Sequence, residues 1–316
     1  MPSPRHTRRD FLRQAALLTI GTSTLAQMPP AAADSLPVPF SSGTDTPSFR
    51  LPADACDCHM HIYDSRFPAA PTAKLRPPPA TVDMYRLLQR RLGTSRNVVV
   101  TPSTYGTDNR CMLDAVAQFG PSARGIAVAD DSISDAELKQ LDRAGVRGLR
   151  FNLAVGSVTT VDMIEPLARR IEPFGWHVQI NMPVEELQRH RPMLARLPVP
   201  AVFDHFGRIP LPAGTAHPVF GFIRDLMQQG RAYIKLSGAY LTSKAGAPAY
   251  ADVAPLAHAL IYAAPDQVIW GSDWPHPTEA SKPDDAALLS LLQEWAESQS
   301  LLDRILVTNP ARLYRF

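Results

Sequence analysis

Eight short apolar runs recur along the chain, at Ala53–His59, Asn97–Thr101, Gly125–Ala129, Val146–Asn152, His177–Met182, Ala201–His205, Tyr233–Ser237 and Val268–Asp273. Runs of this length with few polar interruptions suit strands buried on both faces, the condition of a parallel sheet. The segments between them carry helical spacing. Thr81–Leu88 closes near Gly93, Ser134-Asp135-Ala136-Glu137 is a capping box ahead of Leu138 and Leu141, and Thr160–Phe174 closes at Gly175. Further helices are expected over Val184–Arg196, His217–Gly230, Ala249–Ala263 and Asp284–Gln299, and Cys111 falls in a helical pattern. Eight strands alternating with helices match a single α/β domain, a (β/α)8 TIM barrel over residues 53–316, which typically needs ~250 residues. The alternative, a doubly wound open sheet, announces itself by a glycine-rich phosphate turn after the first strand, and here that strand runs into His59-Met60-His61.

Composition narrows the class further. With 45% hydrophobic and 20% charged residues, and no repeat or low-complexity tract, the 316-residue chain reads as folded and water-soluble despite its 31 prolines. The longest apolar stretch, Ala15–Ala26, is interrupted by polar residues and is too short for a membrane span. The formal charge is +2, but Arg5, Arg8, Arg9 and Arg13 against Asp10 give the first 33 residues +3, which leaves the remainder at −1. A near-neutral body offers no broad basic surface for releasing counterions from nucleic acid, so DNA and RNA are excluded as partners.

The first 33 residues resemble a twin-arginine export signal: Arg8-Arg9, then Phe11-Leu12, a weakly apolar stretch, and the small residues Ala31-Ala32-Ala33. Such a signal implies a periplasmic mature protein. Residues 34–52, rich in Pro, Ser and Thr, read as a linker or N-terminal arm. Cys56 and Cys58 lie two apart on one strand, without bridging geometry, so the three cysteines are expected as buried thiols.

Residues two apart near a strand's C-terminal end share one face, and polar pairs recur in those positions. His59 and His61 end the first strand, Thr101 and Ser103 the second, Arg150 and Asn152 the fourth, Gln179 and Asn181 the fifth, Lys235 and Ser237 the seventh. His205 closes the sixth and Asp273 the eighth. Taken singly, each reads as a hydrogen-bonded structural group. Three imidazoles and a carboxylate converging on a barrel mouth, where such barrels carry their active sites, would incur a desolvation cost that stability alone does not explain.

Four segments, Asp57-Cys58-His59-Met60-His61, Val146-Arg147-Gly148-Leu149-Arg150-Phe151-Asn152, Phe203-Asp204-His205-Phe206-Gly207-Arg208 and Trp270-Gly271-Ser272-Asp273-Trp274-Pro275-His276, resemble the amidohydrolase superfamily. The chain is most similar to the branch of 2-pyrone-4,6-dicarboxylate lactonase and sugar-lactone hydrolases or isomerases. Binuclear members need a carboxylated Lys or a Glu ending strand four and a His ending strand five. This chain has Arg150 with Asn152, and Gln179 with Asn181, while its His177 lies at the opposite end of strand five. An arginine cannot ligate a cation, which argues against a two-metal site.

The resemblance implies a hydrolase of a carboxylated lactone, a small-molecule substrate, working without metal or other cofactor. Asp273 is expected to activate water and His59, His61 and His205 to polarise the ring carbonyl. Arg150 suits capture of the substrate carboxylate, with Ser103, Lys235, Arg208, Asn152 and Asn181 as further contacts. The alternatives are a mononuclear hydrolase or decarboxylase with one Zn2+ on His59, His61 and Asp273, a lactone isomerase, or an exported barrel that binds a carboxylate without turnover. The proline-rich loop Ser65–Ala80 leaves the first strand above the mouth and reads equally as a lid or an inert surface loop.

Overall fold

The computed structural model describes Met1 and residues 37–154 and 158–316. The expected export signal, and the first residues of the arm, lie outside the described residues. Ser35–Phe316 form one compact unit. Its strands are β1 (Cys56–Met60), β2 (Arg96–Val100), β3 (Ala123–Ala127), β4 (Val146–Asn152), β5 (His177–Asn181), β6 (Ala201–Phe203), β7 (Ala232–Leu236) and β8 (Val268–Trp270). They form one sheet in the order β1 to β8, every neighbouring pair parallel. The ring closes past the end of β8, where Met60 bridges Trp274, Asp273 N donates to His59 O at 2.8 Å and His61 N donates to Trp274 O at 2.8 Å. Eight parallel strands with helices outside make the expected (β/α)8 barrel. No helix among the described residues is long and apolar enough to cross a membrane.

Leu149, Phe151, Val178 and Ile180 point outward into the main apolar core beneath the helices, whereas Cys56, Cys58, Val98, Val202, Tyr233 and Ile269 fill the barrel's interior with Tyr314. The three cysteines are free and buried. The Ser134–Glu137 capping box forms, and Gly93 and Gly175 close their helices in the left-handed conformation.

Several boundaries differ from the sequence reading, each for a local reason. The first strand begins at Cys56 because Ala53-Asp54 is a turn, Asp54 having φ +64°. The sixth and eighth strands stop at Phe203 and Trp270, since His205 and Asp273 sit at φ +50° and +64°, outside the extended region. The expected Val184–Arg196 helix breaks at His190 into Val184–Arg189 and Arg191–Leu194, where Pro192 cannot continue the hydrogen-bond ladder. Thr160–Phe174 is helical only over Ile164–Ile171, with a 3-10 turn at each end.

The arm is pinned to the barrel. Arg91 donates to the carbonyls of Ser42 (2.9 Å) and Asp45 (2.7 Å), and Trp274 Nε1 donates to Pro39 O at 2.8 Å.

Candidate active site

A β-bulge in β1 sets the site. Asp57 pairs with Asn97 and Met60 with Val99, so Cys58 and His59 together oppose Val98. The extra residue lets both Cys58 and His59 face the interior, as strict alternation would forbid, and sets His59 beneath the mouth and His61 in it. Asp57 turns outward and fastens the bulge. Its Oδ1 accepts from the backbone N–H of His59 and Ser272, both at 3.0 Å, and its Oδ2 accepts from Ser272 Oγ and from Tyr85 at 2.9 Å. Burial nevertheless raises the Asp57 carboxyl to about 6 against these donors. Opposite, Gly271 leaves room for His59, because a Cβ there would lie 2.6 Å from His59 Cβ.

His59 Nε2 and His61 Nε2 are 3.3 Å apart, and each is 3.5 Å from Asp273 Oδ1. His61 Nδ1 is 2.8 Å from Val100 O, a carbonyl that only accepts, so Nδ1 carries a hydrogen and Nε2 is the atom turned to His59 and Asp273. His59 Nδ1 lies between Lys235 Nζ at 3.2 Å and Asp204 Oδ1 at 3.3 Å. Lys235 also donates to Gln179 Oε1 at 2.7 Å, and Gln179 Nε2 donates to Asp204 at 3.1 Å. His205 Nδ1 pairs with Ser237 Oγ at 2.9 Å. Asp273 Oδ2 accepts from Tyr240 at 2.7 Å.

Burial pushes His59 well below the usual imidazole range and His205 down to about 4, so both are neutral at pH 7. Burial alone would raise Asp273, but His205, His61 and His59 around it outweigh that and hold the carboxyl well below the usual carboxylate range. Asp204 is likewise held low, Lys235 and His59 overcoming its burial. Both carboxylates are ionised at neutral pH.

A cavity of about 430 Å³ opens above these groups. His61, His205, Asp273, Arg150, Arg208, Ser103, Asn152 and Asn181 line it. Two expected site residues do not: His59 and Lys235 are fully buried beneath its floor, where they contact each other rather than the open space. Asn152 donates to Ser103 Oγ at 2.8 Å, Asn181 donates to Asn152 Oδ1 at 2.9 Å, and Arg208 Nε donates to Asn181 Oδ1 at 2.9 Å. This ladder spans the ends of β2, β4, β5 and β6 and holds Arg208 by one nitrogen. Arg150 touches Thr101 O at 3.3 Å and approaches Asp204 at 3.8 Å. Arg150, Arg208 and Lys235 outnumber Asp204 and Asp273, an excess of positive charge that suits an anionic ligand. The 65–80 loop supplies Thr72–Leu75 to the cavity wall and is tied down by Thr104, whose hydroxyl donates to Leu75 O at 2.7 Å.

The histidine and carboxylate donors also fit one metal ion. Tetrahedral zinc with bonds of about 2.0–2.2 Å sets its ligands roughly 3.4 Å apart, and the His59, His61 and Asp273 atoms lie at that spacing.

Asp204, Asp57, Tyr240 and His276 complete the site and were not singled out from the sequence. Asp204 was within reach, since it follows Val202 by two residues and alternation alone points both inward. Nothing in the local pattern marks Asp57 or Tyr240.

A family model described as Amidohydrolase matches residues 56–316. The chain belongs to the amidohydrolase family. Among curated relatives, this family member is 38% identical to a 2-pyrone-4,6-dicarboxylate hydrolase of Comamonas testosteroni, over 85% of this chain and 92% of that protein. It is 36% identical to a 4-sulfomuconolactone hydrolase of Rhizobium radiobacter, covering 84% of this chain and 92% of the relative. The apo crystal structure of an Agrobacterium tumefaciens protein superposes with a TM-score of 0.81 at 28% identity, covering 85% of this chain and 98% of that one.

Proposed function

We propose that the chain hydrolyses a lactone bearing a carboxylate, without a metal, with Asp273 as the base. The observation that carries this reading is one cavity in which an ionised Asp273 and a neutral His205 face the guanidinium groups of Arg150 and Arg208. Two relatives named as hydrolases of acidic lactones support it. A water beside Asp273 gives up a proton to the carboxylate as its oxygen bonds to the ring carbonyl carbon. The carbonyl electron pair moves onto oxygen, where His205 donates from Nε2, its Nδ1 being occupied by Ser237. The ring C–O bond then breaks, and the leaving oxygen takes the proton back from Asp273. Water is thereby split across the ester, and Arg150 and Arg208 hold the substrate carboxylate throughout.

His59 and His61 take a different part from the carbonyl donors expected of them. With Lys235 donating to His59 Nδ1, His59 Nε2–H points to the lone pair of His61 Nε2, and His61 Nδ1–H is spent on Val100 O. Every proton in that chain has a partner without a metal. The chain fixes the floor against which Asp273 Oδ1 rests.

The donor spacing favours a second reading, in which His59 donates to Asp204 instead and one divalent ion is held by His59, His61 and Asp273. Bound there, such an ion would supply Lewis acidity to the carbonyl.

The test is a panel containing 2-pyrone-4,6-dicarboxylate, 4-sulfomuconolactone and neutral lactones, run with metal-depleted enzyme in H2 18O. Ring opening with one solvent oxygen in the new carboxylate is expected, and Asp273→Asn should lower turnover by ~10²-fold or more. Activity that disappears on chelation and returns with stoichiometric zinc would replace this reading by the second. Binding without turnover across the panel would leave only a carboxylate-binding barrel, and conversion to a different closed lactone without solvent oxygen would mean isomerisation.

The mature enzyme is further proposed to be periplasmic, on the strength of Arg8-Arg9 and the alanines at 31–33. Replacing both arginines by lysine should strand the precursor in the cytoplasm, and normal export of that variant would refute the signal.

A further inference from the structure

Behind Asp273, on the side away from the cavity, lies a line of polar groups that the proposed hydrolysis does not use. Tyr240 Oη is 2.7 Å from Asp273 Oδ2 and 2.9 Å from His276 Nδ1. His276 Nε2 is 3.1 and 3.2 Å from the two carboxylate oxygens of Asp285. His276 and Asp285 are fully buried, and none of Tyr240, His276 and Asp285 lines the cavity. Asp285 opens the helix Asp285–Ala296, and its backbone N–H is capped by Ser41 of the arm at 3.2 Å, so the far end of the line is anchored in two elements. Three polar residues, Tyr240 from beyond β7 and His276 and Asp285 from beyond β8, aligned on one oxygen of the base, incur a desolvation cost that packing does not require.

We infer that Asp285 and His276 act through Tyr240 as positioning residues that hold Asp273 in its reactive rotamer, with Oδ2 tied back and Oδ1 left for water. The bond to Asp273 can run in one direction only. A carboxylate accepts and does not donate, so the single Tyr240 proton goes to Asp273. Burial and the adjoining Asp273 carboxylate raise the Tyr240 hydroxyl well above its usual range, which keeps that proton on oxygen. His276 Nδ1, 2.9 Å from Tyr240 Oη, fixes the hydroxyl from behind, and Asp285, which can only accept, holds the ring in that orientation through Nε2–H. The arrangement repeats the logic by which a buried carboxylate orients a histidine in hydrolase triads, displaced by one tyrosine. It rests on Asp273 being the base.

The test is a double-mutant cycle of Tyr240→Phe and His276→Gln, read with 2-pyrone-4,6-dicarboxylate or, if that is not turned over, 4-sulfomuconolactone. Tyr240→Phe removes one oxygen and should lower kcat about 10-fold or more with KM within about twofold. His276→Gln should lower kcat too, and the double variant should be no worse than Tyr240→Phe alone, because the His276 side chain reaches Asp273 only through that hydroxyl, while the backbone bond from His276 N to Asp273 O at 2.8 Å survives in every variant. Losses that multiply, or that fall on KM, overturn the proposal. If Asp273→Asn keeps near-normal turnover, the base assignment fails instead; if that variant is inactive while the cycle is additive, only the relay fails. A readout free of turnover uses 15N-labelled histidine. Asp273→Asn should shift the His276 Nδ1 resonance in the wild-type background and leave it unmoved in Tyr240→Phe. A shift of equal size in both backgrounds refutes transmission through Tyr240, as does no shift in either.

Discussion

Replacing Arg150 by Met separates substrate capture from scaffold. The guanidinium lines the cavity, yet it also approaches Asp204 at 3.8 Å, so a purely structural role has to be weighed against recognition. At 3.8 Å the Asp204 contact is Coulombic and not a hydrogen bond, and Arg150 Nε has no hydrogen-bond partner. Asp204 keeps Lys235 at 3.4 Å, His59 at 3.3 Å and Gln179 at 3.1 Å when Arg150 is gone. The variant should therefore lose much less than the 3–5 kcal/mol typical of stranding a buried charge, and roughly 1 kcal/mol is a reasonable scale. Recognition is affected more. A charge-assisted hydrogen bond to a substrate carboxylate contributes about 1.5–3 kcal/mol, so kcat/KM on a carboxylated lactone should fall about 10- to 100-fold. A neutral lactone of the same ring should lose less than about threefold. The assay is kcat/KM on one charged and one neutral lactone, with Tm measured on the same preparations. Equal losses on both substrates with a large drop in Tm would show that the arginine holds the barrel together and recognises nothing.

Gly271→Ala should cost about 1–3 kcal/mol of stability, since the new Cβ would lie 2.6 Å from His59 Cβ and 2.7 Å from its backbone nitrogen; an unchanged Tm and full activity would refute the close packing. Stability should also fall with acid between about pH 6 and pH 4. Burial holds His177 down to about 3 and His205 down to about 4, and depresses His59 too, so the unfolded chain takes up protons near its ordinary histidine range that the native state refuses. Asp57, raised to about 6, works the other way, because the native state binds its proton first as pH falls. Three imidazoles against one carboxyl leave a net uptake of two protons on unfolding, a slope of roughly 3 kcal/mol per pH unit, and His177→Gln should halve it. Denaturant titrations across that window check this, and equal slopes for the two proteins would contradict it.

The barrel was legible because strand and helix periods are local properties, and all eight strands lie within a few residues of where the apolar runs put them. The mouth was legible in part for the same reason: alternation at the end of β4 and β5 places Arg150 with Asn152 and Gln179 with Asn181 on the inner face, and a parallel register brings them side by side. What alternation cannot deliver is anything that depends on a departure from it. The bulge at Cys58 and His59 turns two successive residues inward, and the left-handed turns at His205 and Asp273 lift those side chains off their strands, so depth in the site could not be counted from the sequence. That is why His59, read as a substrate-facing donor, lies under the floor with Lys235, while His61 two residues later reaches the cavity. The supporting carboxylates follow the same rule. Asp57 bonds outward to Ser272 and Tyr85, 215 and 28 residues away along the chain, and Asp285 pairs with a histidine whose own motif sits beyond β8. Residue type announces a chemical group, but partner and depth are set by where the sheet breaks its own period, and in this barrel the breaks fall at the ends of β1, β6 and β8, beside Asp273 and the histidines around it.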